Sequence, residues 1–324
     1  MSSSTPSLPS SEHFDLHHLT DGVFAAIATT QGAAYSNAGI IDLGDRTLVF
    51  DTFNTPMAAR DLRLAAESLT GRQVSTIVIS HVHSDHWMGN QVFSAHTTIL
   101  STTKIRAAMP EWGDELLEYK DDPTEVEEYL RESEGRLEKE TDPRWRATLE
   151  SSIRSTNFQL RSLPELDLRY PDLTFEGSMV FYGSQRKVEL FSTGVGHSES
   201  DISLLLPDEK IAFIGDLGFF STQPFLPYSQ PEAWIKHMEM FGQTNYETYV
   251  PGHGTIGTNE DLALQRRYLD DLNDQVGAVI AAGGTREDAL KIDLPAPFNG
   301  WLHGGMGRFE ANVNFLYDLL SEKM

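Results

Sequence analysis

Twice along the chain, short apolar runs of strand length follow one another across Gly and polar turns, and each round then gives way to a helix and one further apolar run. The first round reads "VFAAIAT", "SNAGIIDL" and "TLVFD" between Val23 and Asp51. An amphipathic stretch follows, with a cap-type start at Asn54-Thr55-Pro56 and Gly71 as its stop, and leads into the buried strand "VSTIVIS" at 74–80. The second round reads "VELFST" (188–193), "ISLLLP" (202–207) and "IAFIGD" (211–216), then a helix near 231–242 and the strand "YETYV". Two β-rich rounds with their own helices predict an α+β fold of two facing mixed β-sheets with helices outside. No internal repeat and no Gly/Ser linker divides the chain, so one domain is expected over 13–324, after a disordered Ser/Pro tail over 1–12. A composition of 40% hydrophobic residues over 324 positions is enough for one large layered core.

One segment breaks the pattern. Residues 111–150 carry fifteen acidic and six basic side chains. Asp122-Pro123 and Asp142-Pro143 each read as a helix N-cap followed by Pro at the first helical position. Trp145, Leu149 and Ile153 recur at i, i+4, i+8, so a helical insertion over about 111–161 is expected, with one docking face and a solvated acidic one. A lid or a dimer contact is the sharper reading of it. The C-terminal part, about 258–324, reads as helices, one capped by Thr258 with Asp261 at N3 and a short one by Thr285 with Asp288 at N3.

The strand at 74–80 runs straight into His81-Val82-His83-Ser84-Asp85-His86. With no cysteine in the chain, any metal must be held by nitrogen and oxygen, and one short loop cannot complete the coordination of two ions. Three further places offer donors at strand ends: His197 in "TGVGHSESD", Asp216 in "FIGDLGF" and His253 in "YVPGHGT". His13, His17, His18, His96 and His237 read as surface or hydrogen-bonded residues. The net charge of −23 argues against nucleic acid and anionic membrane as partners, which require a basic face. The N-terminus has neither a positive nor an apolar signal region, and no run of about eighteen apolar residues occurs, so a cytoplasmic protein acting on a small molecule is expected, with a homo-oligomer left open.

In order and approximate spacing, the His81–His86 cluster, Gly194-Val195-Gly196-His197-Ser198, Gly215-Asp216 and Pro251-Gly252-His253-Gly254 resemble the metallo-β-lactamase superfamily. The resemblance covers roughly residues 20–255. It implies an αββα four-layer sandwich with a binuclear site at one edge of the paired sheets. One ion, most often Zn with Fe or Mn as alternatives, would sit on His81, His83 and His197, and the other on Asp85, His86 and His253. Asp216 would bridge them, and Asp51, at the end of "TLVFD", would accept a hydrogen bond from a ligand. The best-known β-lactamase branches carry cysteine or serine where this chain has Asp216. A bridging aspartate is similar to branches that hydrolyse thioesters, lactones or phosphodiesters.

Two ions about 3.5 to 4 Å apart can share one water and lower its pKa toward neutrality, giving a hydroxide that attacks a carbonyl. The expected activity is therefore hydrolysis of a small ester, thioester, lactone or cyclic amide, with Asp85 and Asp216 as the catalytic carboxylates. Trp87, Phe219, Phe220, Phe225 and Tyr228 adjoin ligand motifs in sequence and are candidates for the substrate wall, joined by Trp301 and His303 from the C-terminal part. Two alternatives stand beside this reading: a mononuclear iron dioxygenase on the same scaffold, and a metal-stabilised binding protein without catalysis.

Overall fold

The structure is a computed structural model that describes residues 8–301 and 308–322. Its first sheet has seven strands in sequence order: β1 (Phe14–Thr20), β2 (Val23–Ala28), β3 (Ala38–Asp42), β4 (Thr47–Phe50), β5 (Val74–Val78), β6 (Thr98–Thr102) and β7 (Leu173–Phe175). β1 to β4 pair antiparallel, and β4 to β7 pair parallel. The switch follows from the connections. The first strands are joined by short turns, whereas β4 and β5 are joined through α1 (Pro56–Thr70), which antiparallel neighbours would not need.

The second sheet has five strands in the order β12-β11-β10-β9-β8, from β8 (Ser178–Tyr182), β9 (Lys187–Gly194), β10 (Asp201–Leu206), β11 (Ile211–Phe220) and β12 (Thr248–Gly254). Only β11 and β12 run parallel, connected through α5 (Pro231–Gly242). The sheets face each other across a shared core in which Phe50 of β4 meets Phe213 of β11, ring centroids 6.1 Å apart.

Helices cover both outer faces. Helix α1 starts where the sequence says it should: Thr55 accepts a hydrogen bond from the Ala58 N–H, Pro56 stands in the first turn, and Gly71 closes the end in the left-handed region. Its small buried face of Ala58, Ala59, Leu62, Ala65 and Ala66 lets it lie close on β4 and β5. On the other side α5 and α6 (Asn259–Ala281) pack on β11, α7 (Arg286–Ala289) follows, and α8 (Arg308–Ser321) packs on α6. Thr258 and Thr285 both close capping boxes with the expected aspartates. The result is the four-layer αββα sandwich. Among the described residues, no helix is long and apolar enough to cross a membrane.

Several local expectations are corrected. Strand β1 was not foreseen, because its segment "FDLHHLT" exposes both histidines along a sheet edge and lacks a clean apolar run. Residues 1–7 of the expected tail lie outside the described residues, but the tail's remainder is docked: Leu8 packs on the core, and the Ser11 hydroxyl donates to Asp61 over 2.7 Å. The helical insertion begins earlier than expected, as α2 (Thr103–Asp121), α3 (Thr124–Leu137) and α4 (Pro143–Ser162) fill the whole path from β6 toward β7. Asp122 is the last cap of α2 rather than the first cap of α3. Its backbone N–H still reaches Glu118, while its carboxylate accepts from the Thr124 hydroxyl (2.6 Å), so one residue serves both helix ends. On α4, Leu149 is buried whereas Trp145 and Ile153 are half-buried.

Candidate metal centre

The donors come from four places along one edge of the sandwich. The loop after β5 folds into two short 3-10 turns, Ser84–His86 and Met88–Val92, and is pinned from behind by the Thr52 N–H on the His86 carbonyl (2.8 Å) and the Gly89 N–H on the Phe53 carbonyl (3.2 Å). His197 follows β9, held by its backbone N–H on Asp201 (2.8 Å). The Asp201 carboxylate also takes the Ser198 hydroxyl at 2.7 Å, which closes the loop into a rigid turn. His253 lies within β12.

Asp216 is placed differently from the expected strand end. β11 continues to Phe220, and its register against β12 slips: Gly215 pairs with Pro251, and Phe219 with His253. Asp216 to Gly218 therefore form a bulge, which turns the aspartate out of the ladder and into the site. Gly252 is what makes room for it. A methyl group at that position would stand 1.8 Å from Asp216 Oδ1.

Two donor groups result, His81, His83, His197 and Asp216 in one, and Asp85, His86 and His253 in the other, with each group's ligand atoms within 4.8 Å of one another. His83 Nδ1 lies 3.0 Å from His81 Nε2 and 2.9 Å from His197 Nε2. Asp216 faces both groups, with Oδ2 3.2 Å from His197 Nε2 and 3.4 Å from His253 Nε2, and Oδ1 3.1 Å from His86 Nε2. Neither Asp216 Oδ1 nor His86 Nε2 finds a hydrogen bond. Buried polar atoms that converge without hydrogen bonds are costly unless something positive lies among them. The donor set, all nitrogen and carboxylate oxygen, fits divalent zinc or a similar ion.

The opposite side of most rings is locked, which leaves the converging nitrogens bare. His86 Nδ1 meets Asp51 at 2.7 Å, His81 Nδ1 meets the Ser80 hydroxyl at 2.9 Å, and His253 Nδ1 meets the Tyr35 carbonyl at 3.1 Å. Asp51 itself sits at φ 61°, in the left-handed region, and accepts the Ser80 N–H and hydroxyl at 2.7 Å each. A non-glycine residue held there and this fully hydrogen-bonded is a positioned acceptor.

The electrostatics agree. Burial, then the neighbouring His86, push the His81 imidazole well below its ordinary range, and burial with His197 brings His83 down to about 3. Burial would also lower His86, but Asp216, Asp85 and Asp51 outweigh it and hold that ring well above the usual value. Burial opposes ionisation of Asp216, yet His253 and His86 hold its carboxylate well below the usual range. Neutral His81 and His83 beside an ionised Asp216 are in the protonation states a metal requires, and the carboxylates that raise His86 call for a positive charge there.

A cavity of about 710 Å³ opens beside Asp85 and His253. Its far wall is the inner face of α4 with Tyr129 of α3, where hydroxyl-bearing residues such as Thr148, Ser152 and Ser155 line it beside Glu150 and Arg154. Of the expected wall residues, Phe225 and Tyr228 lie near His83, at 6.2 and 6.4 Å between ring centroids. Phe219 is buried and stacks on His253 at 4.9 Å, behind the ligand rather than on the cavity. Trp87 is fully buried, with its indole N–H on the Val82 carbonyl (2.7 Å) and its ring against Tyr170. Phe220 is buried under β12, and Trp301 packs on Tyr268. These three take core places. His303 lies outside the described residues. Sequence reasoning missed Trp112, 4.9 Å from His83, as well as Tyr35 and Arg308. Asp201 was within reach of it, being part of the quoted "GHSESD".

The chain is thus a two-sheet sandwich with two His/Asp groups able to hold metal at one edge. The family model of the metallo-β-lactamase superfamily matches residues 32–253, and the chain belongs to that superfamily. No match was found among curated proteins. Among solved structures, the stereoselective inverting sec-alkylsulfatase Pisa1 from Pseudomonas sp. is similar at 15% identity and TM-score 0.66, over 94% of this chain and 50% of that one. The chain thus spans about half the length of that relative. The metallo-β-lactamase FIM-1 from Pseudomonas aeruginosa, in its mono-zinc form, is similar at 15% identity and TM-score 0.55, over 80% of this chain and 95% of that one. A metallo-β-lactamase from Erythrobacter litoralis gives 14% identity and TM-score 0.57 over 81% and 98%. At these identities the structural likeness speaks to the fold. The fold and its His/Asp cluster support a metal-dependent hydrolase.

Proposed function

We propose that the chain is a binuclear metal-dependent hydrolase that cleaves a small ester, thioester, lactone or cyclic amide. The observation that carries this is Asp216, whose carboxylate lies within 3.1 to 3.4 Å of His197 in one donor group and of His86 and His253 in the other, while His81, His86 and His253 are oriented from behind. Two divalent ions, zinc foremost, would be held by His81, His83 and His197 and by Asp85, His86 and His253, with Asp216 between them. When bound, such ions supply Lewis acidity and an acidified water. The protein's own part is geometric and electrostatic. Asp85, whose side chain is 19% exposed where the other ligands are closed off, borders the cavity and is placed to orient the attacking water and accept its proton. Phe225, Tyr228 and Trp112 flank His83 and keep bulk water off that side. The open cavity at Asp85 and His253 supports a catalytic site over a closed structural one, in which no ligand position would stay accessible.

The test is elemental analysis joined to an ester, lactone, thioester, lactam and phosphodiester panel. Two zinc ions per chain and loss of both metal and hydrolysis in His83→Ala are expected. Full activity in a metal-free variant, or a single iron per chain, overturns the reading.

A further inference from the structure

Arg308 opens α8 and is only 9% exposed. Its guanidinium is fixed in place: Nη1 donates to the Gln223 carbonyl and Nη2 to the Tyr35 hydroxyl, both at 2.9 Å. The Phe219 and Phe225 rings lie 5.7 Å from its central carbon. All of these contacts are to neutral groups, and among the described residues no carboxylate comes within ion-pair distance. A buried guanidinium always carries its charge, and leaving it without a counter-ion is strongly unfavourable. In a chain with 48 acidic residues such a counter-ion would have been easy to provide. Arg308 instead borders the cavity that bares Asp85 and His253. Through the Phe219 ring, which stacks on His253 at 4.9 Å, it stands one aromatic layer from a metal donor. Arg154 lines the same cavity, where Glu150 and Asp85 are the only acids among the described residues, and Asp85 is already committed to the donor cluster.

We propose that Arg308 recognises a carboxylate on the substrate, so that this site takes anionic esters, thioesters or lactones whose scissile carbonyl sits at the His/Asp cluster and whose carboxylate lies a few bonds away. The remaining guanidinium N–H groups present the fork that a carboxylate accepts in two parallel hydrogen bonds. Gln223, Tyr35 and the two phenylalanines hold the fork's plane, so little entropy is lost on binding. Specificity follows directly. A neutral ester of the same length leaves the guanidinium unpaired and binds worse.

This rests on the hydrolase reading, and the experiment separates the two. With zinc-loaded protein, KM is compared for mono-4-nitrophenyl adipate and 4-nitrophenyl hexanoate, which differ by one carboxylate. The wild type is expected to favour the adipate ester, and Arg308→Gln to raise the KM ratio of adipate to hexanoate ester by about 10- to 100-fold, the size of a lost charge-assisted pair. Arg308→Lys, which keeps the charge but not the fork, is expected to fall between. A purely structural arginine would alter both esters and the melting temperature alike, leaving the ratio unmoved, and that result overturns the proposal. Calorimetry with adipate and hexanoate gives a readout free of turnover. Tighter adipate binding that is lost in Arg308→Gln supports the site even if neither ester is hydrolysed, an outcome that sinks only the hydrolase reading. Equal adipate binding by wild type and Arg308→Gln overturns the carboxylate site even if both esters are cleaved.

Discussion

Gly252→Ala adds one methyl group to a residue that is not itself a metal donor, and its effect can be worked from distances alone. The backbone there lies outside the left-handed region, so alanine introduces no torsional strain. The new Cβ would stand 1.8 Å from Asp216 Oδ1 and 2.9 Å from the Asp216 nitrogen. Comfortable contact needs about 3.5 Å, so the carboxylate must retreat by about 1.7 Å. It has nowhere to go: Asp216 is 4% exposed and ringed by His81, His86, His197 and His253 at 3.1 to 3.6 Å. Overpacking of this kind costs about 1–3 kcal/mol. Displacing the carboxylate that addresses both donor groups should weaken metal binding at least as much as losing a supporting contact does, about 10- to 100-fold. The assay is metal per chain by mass spectrometry at buffered free zinc, with melting curves in zinc and in chelator. Gly71→Ala is the control. There φ is +68° with nothing within 4 Å of the added methyl, so it should cost about 1 kcal/mol through the backbone and leave zinc content alone. A Gly252→Ala protein with wild-type zinc affinity would refute the placement of Asp216 between the two groups.

Asp51→Asn removes the carboxylate charge behind His86 while keeping its shape, and zinc affinity is expected to drop about 10- to 100-fold in competition with a chromophoric chelator. Unchanged affinity would reduce Asp51 to a turn residue. Trp87→Ala should destabilise the fold by about 3–5 kcal/mol in urea, because the ring is fully buried, without altering relative KM values across substrates at a temperature where the variant is folded. A specificity change at intact stability would put Trp87 back on the cavity wall.

The donor set was legible in the sequence because metal chemistry restricts residue types and strand ends restrict positions. His81, His83, Asp85 and His86 are packed into one loop, and His197 and His253 carry flanking glycines. Asp216 was legible as a donor but not as a bulge, since only the pairing of β11 with β12 reveals that the two strands advance by different numbers of residues. The αββα layers followed from the same alternation of apolar runs and helices. Trp87 was misread for a physical reason. Adjacency to a ligand fixes where the backbone is, whereas Trp87 stands between the two 3-10 turns at φ −141°, and its indole N–H turns back to the Val82 carbonyl in the core. Arg308 had no local signal at all, because its meaning depends on the Tyr35, Phe219 and Gln223 segments that meet it.

The net charge sharpens this point about what is and is not local. A total of −23 argues against a polyanionic partner, which must lie across an extended surface. It does not argue against a small anion in a cavity. Exposed charges farther than a Debye length, about 8 Å at physiological ionic strength, are largely screened, while a buried guanidinium is screened far less. The acidic side chains of the insertion lie chiefly on its solvent side, and the α4 face turned to the cavity carries hydroxyls together with Arg154 and Glu150, which offset one another. An anionic substrate is therefore repelled over the approach and attracted once inside. Raising the salt concentration should speed its association by screening the outer charges while leaving the Arg308 contact nearly intact, the opposite of what a basic docking surface would give.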